Sequence, residues 1–198
     1  MPSPTPLEYG TYYHIYNRGN NREDIFIESR NYLHFLRLYE RHISPVVETY
    51  AYCLLKNHFH FLVRIKDEET LETLKVSTPS QHFSNFFNAY TKAMNKAYGR
   101  TGSLFQHPFR RIIVQDEAHL LRLVTYIHQN PQKHRFVEDF RVWKYSSYHA
   151  CISDNPTQVQ CDTVLAWFGG KAGFIAAHQV KVDEEALPVY DLKDTPRP

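Results

Sequence analysis

The stretch Leu54-Leu55-Lys56-Asn57-His58-Phe59-His60-Phe61-Leu62-Val63-Arg64 decides how this chain folds. Successive side chains of a β-strand point to opposite faces, so this segment predicts a strand with one apolar face and one mixed face. The apolar face carries Phe59, Phe61, Val63 and Ile65, and the mixed face carries His58, His60, Leu62 and Arg64. Two imidazoles side by side on the mixed face are close enough to hold one divalent cation. The strand therefore predicts half of a metal site, backed by a hydrophobic core.

The sequence on either side of this strand predicts the remaining elements. Residues 12–16, 46–55 and 110–114 are typical of strands, and Lys56-Asn57 is a tight hairpin connection into the histidine strand. Apolar residues recur at helical spacing after Ser29, a candidate helix cap, and again from residue 81 to about residue 99. Residues 67–80 are polar and predict a mobile loop or a frayed helix. A further helix is expected from the N-cap Asp116 to Asn130, where Pro131 disfavours continuation.

The predicted order of elements is βαββαβ followed by one more helix. This order matches the split βαβ, or ferredoxin-like, arrangement, so the expected fold class is α+β with an antiparallel sheet. We expect a disordered lead-in over residues 1–10, one domain over residues 11–150 and a C-terminal extension over residues 151–198. Short helices are expected in the extension near residues 164–168 and 172–180, and residues 183–198 are typical of an exposed tail.

The composition is that of a globular chain of 198 residues with a formal net charge of only +2. Overall basicity therefore does not identify a nucleic-acid partner, and any DNA-binding surface must be a local patch. Three cysteines without a CxxC pair indicate reduced thiols, so we expect a cytoplasmic protein. No apolar run approaches the roughly 18 residues of a membrane helix, and no membrane partner is expected. The first residues lack the charged head and apolar core of a signal peptide.

The last predicted helix of the domain carries a second candidate group. Tyr126 and Asn130 are four residues apart, so they lie on one face of a helix. A tyrosine one turn from an oxygen ligand, near a two-histidine metal site, suits phosphodiester cleavage, because the metal polarises the phosphate that the phenolate attacks. In the plainer alternative, Tyr126 is a core residue and the two strand histidines are half-exposed and bind nothing. His119 and His128 share this helix and are expected at the surface.

Five blocks of sequence, in the same order, resemble the single-tyrosine HUH transposases. The resemblance is especially to the REP-associated tyrosine transposases and their insertion-sequence relatives, and it covers roughly residues 12–148. The blocks are Tyr13-His14-Ile15-Tyr16-Asn17-Arg18-Gly19, Ala51-Tyr52-Cys53-Leu54-Leu55-Lys56-Asn57-His58-Phe59-His60, Gly102-Ser103-Leu104-Phe105-Gln106, Tyr126-Ile127-His128-Gln129-Asn130-Pro131 and Trp143-Lys144-Tyr145-Ser146-Ser147-Tyr148. A lone His-x-His pattern is weak evidence, whereas five blocks in order are strong evidence.

The resemblance implies an endonuclease that depends on Mg²⁺ or Mn²⁺ and acts on single-stranded DNA at a hairpin-bearing target. His58 and His60 match the metal-binding histidines of the family, and Tyr126 matches the nucleophile that keeps the 5′ phosphate. Asn130 matches the polar residue that completes the metal site. Gln129 is the alternative, because a residue before proline is pushed away from α geometry. Imidazole favours softer metals than magnesium, so manganese suits this mixed ligand set better. Relatives act as monomers or homodimers, and both states stay open.

Four arginines are candidates for contacts with DNA phosphates: Arg18, Arg22, Arg110 and Arg111. The last two lie beside Phe105 and Phe109, and aromatic residues interleaved with arginines suit stacked single strands. A solvated charged rim is the alternative for any one of them. The rival function is a domesticated DNA-binding protein that keeps the fold without cleaving. A hydrolase of small phosphoesters ranks last, because the sequence offers no carboxylate cluster for a second metal or a base.

Overall fold

The computed structural model describes residues 6–75 and 78–182. Its strands are β1 (Tyr12–Arg18), β2 (Val47–Leu55), β3 (His58–Ile65) and β4 (Arg110–Ile113). Its helices are α1 (Ser29–His42), α2 (Glu68–Thr73), α3 (Pro79–Tyr98), α4 (Glu117–Lys133), α5 (Tyr148–Ile152), α6 (Cys161–Trp167) and α7 (Lys171–Gln179), with 3-10 turns at Asn20–Arg22 and Phe140–Val142. The strands form one antiparallel sheet in the order β2-β3-β1-β4. This is the ferredoxin-like arrangement, so the predicted fold class is confirmed.

The larger hydrophobic core lies between α1, α3 and the apolar face of the sheet. Alternation in β3 sends Phe59 and Phe61 to this face, as the sequence predicts. Phe35 of α1 is fully buried there. Its ring packs 5.3 Å from the ring of Phe59 and 4.7 Å from that of Phe86 in α3, measured between centroids. Aromatic rings therefore join the helical layer to the sheet.

The second core covers the opposite face of the sheet, which carries the histidines. It unites Leu62 of β3, Ile127 of α4 and Phe174 of α7, all fully buried. The described part of the C-terminal extension therefore packs into the same core as the predicted domain over residues 11–150. The two short helices expected in the extension are present as α6 and α7. The predicted tail over residues 183–198 lies outside the described residues.

Two helices, α1 and α3, do not start as the sequence predicts. Glu28, not Ser29, is the N-cap of α1, and the side-chain oxygen of Asn31 accepts a hydrogen bond of 2.7 Å from the Glu28 N–H. Helix α3 begins at Pro79 instead of residue 81, since proline is well tolerated in a first turn. Within the segment expected as a loop or frayed helix, residues 68–73 form α2. Asp116 caps α4 as predicted and accepts from the His119 N–H.

Helix α4 continues through Pro131 to Lys133, so the expectation that it ends at Asn130 is wrong. Proline removes one N–H donor and disfavours α geometry in the residue before it, but here this turn is buried against the rest of the protein and the helix keeps its other hydrogen bonds. The Asn130 carbonyl still accepts a helical hydrogen bond of 2.9 Å from the His134 N–H. Asn130 therefore keeps helical geometry and stays one turn from Tyr126.

The start of the described chain is attached to the sheet. The Tyr13 hydroxyl accepts from the Glu8 N–H and donates to the Pro6 carbonyl, and the Gly10 N–H donates to the Ile65 carbonyl. Residues 6–10 of the expected disordered lead-in are thus held in place, and residues 1–5 lie outside the described part. Among the described helices, none is long and apolar enough to cross a membrane.

The aromatic core makes a direct prediction about stability. Replacing Phe35, which is fully buried, by alanine should lower the free energy of unfolding by about 3–5 kcal/mol, because a cavity opens between α1 and the sheet. Leu33, in the same helix, is 54% exposed, and Leu33→Ala should change stability by no more than about 0.5 kcal/mol. Urea unfolding followed by circular dichroism measures both. Equal effects of the two substitutions would contradict this account of the core.

Candidate metal and tyrosine site

The two histidines of the predicted metal pair lie on β3, which has a neighbouring strand on each side. His60 stands opposite Tyr16 of β1, and His58 stands opposite Arg18. Helix α4 contacts β2 and β3 on this face of the sheet. His58 and His60 are consequently 1% and 0% exposed. They are buried residues, not half-exposed ones.

Three of the buried polar atoms in this region that have no hydrogen-bond partner within the described residues belong to the predicted metal ligands. They are Nε2 of His58, Nε2 of His60 and Oδ1 of Asn130, and all three are buried. The two imidazole rings are perpendicular with centroids 5.2 Å apart, and the Asn130 amide contacts His58. Buried polar atoms without partners are rare, because each has lost its hydrogen bonds to water. Two imidazole nitrogens and an amide oxygen instead fit a divalent cation, and manganese better than magnesium.

Among residues 6–75 and 78–182, no three His, Cys, Asp or Glu side chains are grouped so that they could hold a metal ion. The set described here contains two histidines, and its third member is an amide. Its capacity for a cation therefore depends on Asn130 and on oxygen atoms that water or a substrate would supply.

Burial keeps both candidate histidines neutral. It lowers the pKa of His58 well below its usual value, and the neighbouring His134 and Arg18 lower it further. Burial likewise lowers the pKa of His60, and the adjacent His14 and His58 add to this effect. A neutral imidazole retains the lone pair that a metal requires, so both rings are in the correct protonation state near neutral pH.

The structure brings Tyr126 to the same place. Its ring lies edge-on to that of His60, with centroids 5.6 Å apart and planes at 83°. The Lys133 ammonium lies 4.9 Å from the centre of the Tyr126 ring. Tyr126 is only 5% exposed and belongs to the second core. The tyrosine is thus both a core residue and a neighbour of the candidate metal ligands.

Asn130 and Gln129, the two alternatives for the third ligand, have different surroundings. The Asn130 Nδ2 donates 2.9 Å to the Tyr126 carbonyl, which leaves its Oδ1 as the atom without a partner. The Gln129 side chain instead donates to the carbonyls of His178 and Val180 and accepts from the Val182 N–H. Gln129 is therefore engaged by the C-terminal extension, and Asn130 is the residue placed beside the histidines.

His14 is a site residue for which the sequence analysis predicted no role. It is fully buried on β1, and its Nε2 lies 2.9 Å from Nδ1 of His60. Its ring stacks on that of His60 with centroids 5.1 Å apart. Alternation places His14, Tyr16 and Arg18 on one face of β1, and pairing with β3 makes it the histidine face. Alternation within β1 was the sequence signal that could have identified His14, but its use required knowing that β1 pairs with β3.

The four candidate arginines do not form one surface. Arg18 is 5% exposed and lies near His58, inside the site. Arg110 is exposed and stands opposite Tyr16, on the histidine face. Arg111 points to the other face, with its guanidinium carbon 3.9 Å from the centre of the Phe109 ring. Arg22 is half-exposed in the turn after β1.

A second group of buried histidines connects the extension to α4. Nδ1 of His128 lies 2.8 Å from Nε2 of His178, and Nε2 of His128 lies 2.8 Å from the Ser147 hydroxyl. The Ser147 hydroxyl oxygen in turn accepts from the Tyr52 N–H of β2. His128 is fully buried and His119 is 3% exposed, so the expectation that both lie at the surface is wrong. The extension covers His128, which spacing within α4 alone could not reveal.

Comparison with known proteins agrees with this architecture. No protein-family model matches the chain. A curated protein of Haemophilus influenzae, named "Putative REP-associated tyrosine transposase", is 29% identical over 105 residues, which are 52% of this chain and 59% of that protein. A solved structure of a REP-associated tyrosine transposase bound to a REP hairpin matches with a TM-score of 0.62 and 16% identity, over 79% of this chain and 88% of that one. The predicted resemblance is therefore confirmed: in sequence and in fold, this chain is similar to the REP-associated tyrosine transposases.

Proposed function

We propose that this chain is a metal-dependent tyrosine nuclease and strand transferase that acts on single-stranded DNA in the cytoplasm. One observation carries the proposal: the buried, unpartnered atoms of His58, His60 and Asn130 lie on the face of the sheet that also receives Tyr126. A nucleophile beside a cation site is the combination that phosphodiester cleavage requires. The similarity to REP-associated tyrosine transposases supports the same class of reaction.

In this proposal, His58, His60 and Asn130 hold a Mg²⁺ or Mn²⁺ ion, which polarises the scissile phosphate when bound. The Tyr126 oxygen attacks the phosphorus, and the bond from phosphorus to the 3′ oxygen breaks. The proton lost by the phenol is balanced by the proton that the departing 3′ oxygen gains. The protein keeps the 5′ phosphate on Tyr126, and attack by a 3′ hydroxyl reverses the step and joins strands. The Lys133 ammonium lies 4.9 Å from the centre of the Tyr126 ring and adds a positive charge beside the nucleophile and the phosphate that it attacks.

We infer that the partner is a hairpin-bearing single strand, because the solved relative was bound to a REP hairpin. Arg110 is exposed on the histidine face and is the arginine best placed to meet a phosphate outside the site. All the proposed catalytic groups come from one chain, so a monomer suffices for the reaction. Since Tyr126 is 5% exposed, the site must open when the strand enters.

The same burial favours one rival function, a DNA-binding protein that no longer cleaves. Both functions predict binding to a hairpin, and only the nuclease predicts a covalent product. Chemistry at Tyr126 is therefore the observation that separates them.

A covalent adduct tests the nuclease directly. Single-stranded oligonucleotides from both flanks of the encoding gene should form a protein–DNA adduct with Mn²⁺ and none with a chelator. Mass spectrometry should place the adduct on Tyr126, and Tyr126→Phe should abolish it while hairpin binding persists. Tyr148 is a similarly buried tyrosine in α5, at 4% exposure, so Tyr148→Phe should retain the adduct. An adduct that survives in Tyr126→Phe would refute the assignment, and hairpin binding without any adduct would favour the rival.

The third metal ligand can be tested without DNA. At a Mn²⁺ concentration 100-fold above its dissociation constant, the metal should stabilise the protein by about 2.7 kcal/mol. Asn130→Leu should remove most of this stabilisation, because it deletes the unpartnered oxygen. Gln129→Leu should retain it, since Gln129 binds the extension. Thermal unfolding with and without Mn²⁺ gives the comparison, and the reverse ranking of the two variants would assign the ligand to Gln129.

The two adjacent arginines of β4 should differ in DNA binding. Arg110→Ala should weaken hairpin binding and reduce the slope of log K against log salt by about 0.7, the value for one phosphate contact on a single strand. Arg111→Ala should leave this slope unchanged, because Arg111 packs on Phe109 on the opposite face. Fluorescence anisotropy over a range of salt concentrations measures both slopes. Equal slopes for the two variants would place the DNA elsewhere.

A further inference from the structure

Each histidine of β3 uses its second ring nitrogen in a hydrogen bond. Nδ1 of His58 lies 2.6 Å from the side-chain oxygen of Asn57, and Nδ1 of His60 lies 2.9 Å from Nε2 of His14. In both rings the atom left without a partner among the described residues is Nε2. The two rings thus have one pattern, in which Nδ1 is held and Nε2 is available.

These contacts determine where the ring protons lie when a cation is bound. The Asn57 oxygen can only accept, so Nδ1 of His58 carries the proton and Nε2 keeps its lone pair. For His60, Nε2 keeps its lone pair only if Nδ1 donates to Nε2 of His14. His14 then carries its own proton on Nδ1. This is the one arrangement of neutral rings in which both Nε2 atoms can bind a metal.

We infer that His14 and Asn57 are the positioning residues of the metal site, which orient His60 and His58 and select their tautomers. The inference rests on the proposed metal site and adds to it two residues that do not touch the cation. Metal-binding histidines generally donate their other N–H to an acceptor, and loss of that acceptor costs about 10–100-fold in metal affinity.

Contacts with neighbouring residues fix the positions of both acceptors, His14 and Asn57. His14 lies between two rings on the same face, stacked on Tyr16 at 4.7 Å and on His60 at 5.1 Å between centroids. Asn57 occupies the turn between β2 and β3, and its carbonyl accepts a hydrogen bond of 2.9 Å from the Gly19 N–H at the end of β1. A Cβ at Gly19 would clash with the Glu23 carbonyl oxygen, so the close approach of Gly19 to Glu23 at the end of β1 requires glycine. The turn is therefore fixed to the neighbouring strand.

Both acceptors are neutral, whereas a carboxylate is a common partner of metal-binding histidines. An acceptor with a negative charge would make the imidazole a stronger ligand. Metal affinity should therefore rise in one variant and fall in another. Asn57→Asp keeps an acceptor oxygen at the turn and adds a negative charge, while Asn57→Leu removes the acceptor.

The test is Mn²⁺ binding to the full chain without DNA, measured by isothermal titration calorimetry at pH 8 and by the Mn²⁺-dependent shift in unfolding temperature. His14→Leu and Asn57→Leu should each raise the dissociation constant by about 10–100-fold. His14→Gln supplies an amide oxygen as acceptor and should recover most of the affinity. Asn57→Asp should bind Mn²⁺ more tightly than the unmodified protein.

His178→Leu is the control for a structural effect. It removes a buried histidine of the extension, so it should lower the unfolding temperature without metal and leave the Mn²⁺ dissociation constant unchanged. If His14→Leu and His14→Gln bind Mn²⁺ as the unmodified protein does, His14 does not position the site. If both bind equally weakly and both unfold early without metal, His14 only packs the core, and the inference also fails. Failure of the unmodified protein to bind Mn²⁺, or binding unaffected by His58→Ala and His60→Ala, would instead refute the metal site itself.

Discussion

The central position of β3 in the sheet is the constraint on which the rest of the structure depends. A strand with neighbours on both edges and a helical layer on both faces has little contact with water, and all the side chains of β3 except Arg64 are buried. Phenylalanine meets this constraint on one face without difficulty, because it has no polar atoms. On the other face, each imidazole brings two nitrogens that need partners. One nitrogen of each ring makes a hydrogen bond to Asn57 or His14, and the other nitrogen of each has no hydrogen-bond partner among the described residues.

The burial of this face affects the proposed metal ligands and the proposed nucleophile alike. Removal from water keeps His58 and His60 neutral, which is the form that binds cations. It also places Tyr126 in a hydrophobic core, edge-on to His60 and with the Lys133 ammonium 4.9 Å from its ring centre. In the proposed function this closed arrangement is the resting state, and reactivity at Tyr126 depends on the arrival of a phosphate.

The sequence predicted those features that depend on local periodicity. Alternation in β3 separated the phenylalanines from the histidines, and the four-residue spacing placed Tyr126 and Asn130 on one face of α4. Features that depend on contacts between distant elements were missed. His128 was expected at the surface because α4 alone does not show that Ser147 and His178 cover it. Arg110 and Arg111 were grouped because they are adjacent, although alternation within β4 sends them to opposite faces. The predicted helix end at Asn130 was wrong because burial of the turn that contains Asn130 and Pro131 outweighs the local preference of the residue before proline.

The hydrogen bonds around His128 have a direction. The Phe174 carbonyl accepts from Nδ1 of His178, whose Nε2 then accepts from Nδ1 of His128, and this leaves Nε2 of His128 as an acceptor 2.8 Å from the Ser147 hydroxyl. Each link carries one proton, and reversing any link would leave two donors or two lone pairs facing each other inside the core. One direction of hydrogen-bond donation therefore applies to all of these residues, although Ser147 and His178 lie 19 and 50 positions from His128 in the sequence. A change at one of them alters the hydrogen bonding of the others, so natural substitutions at these positions should co-vary.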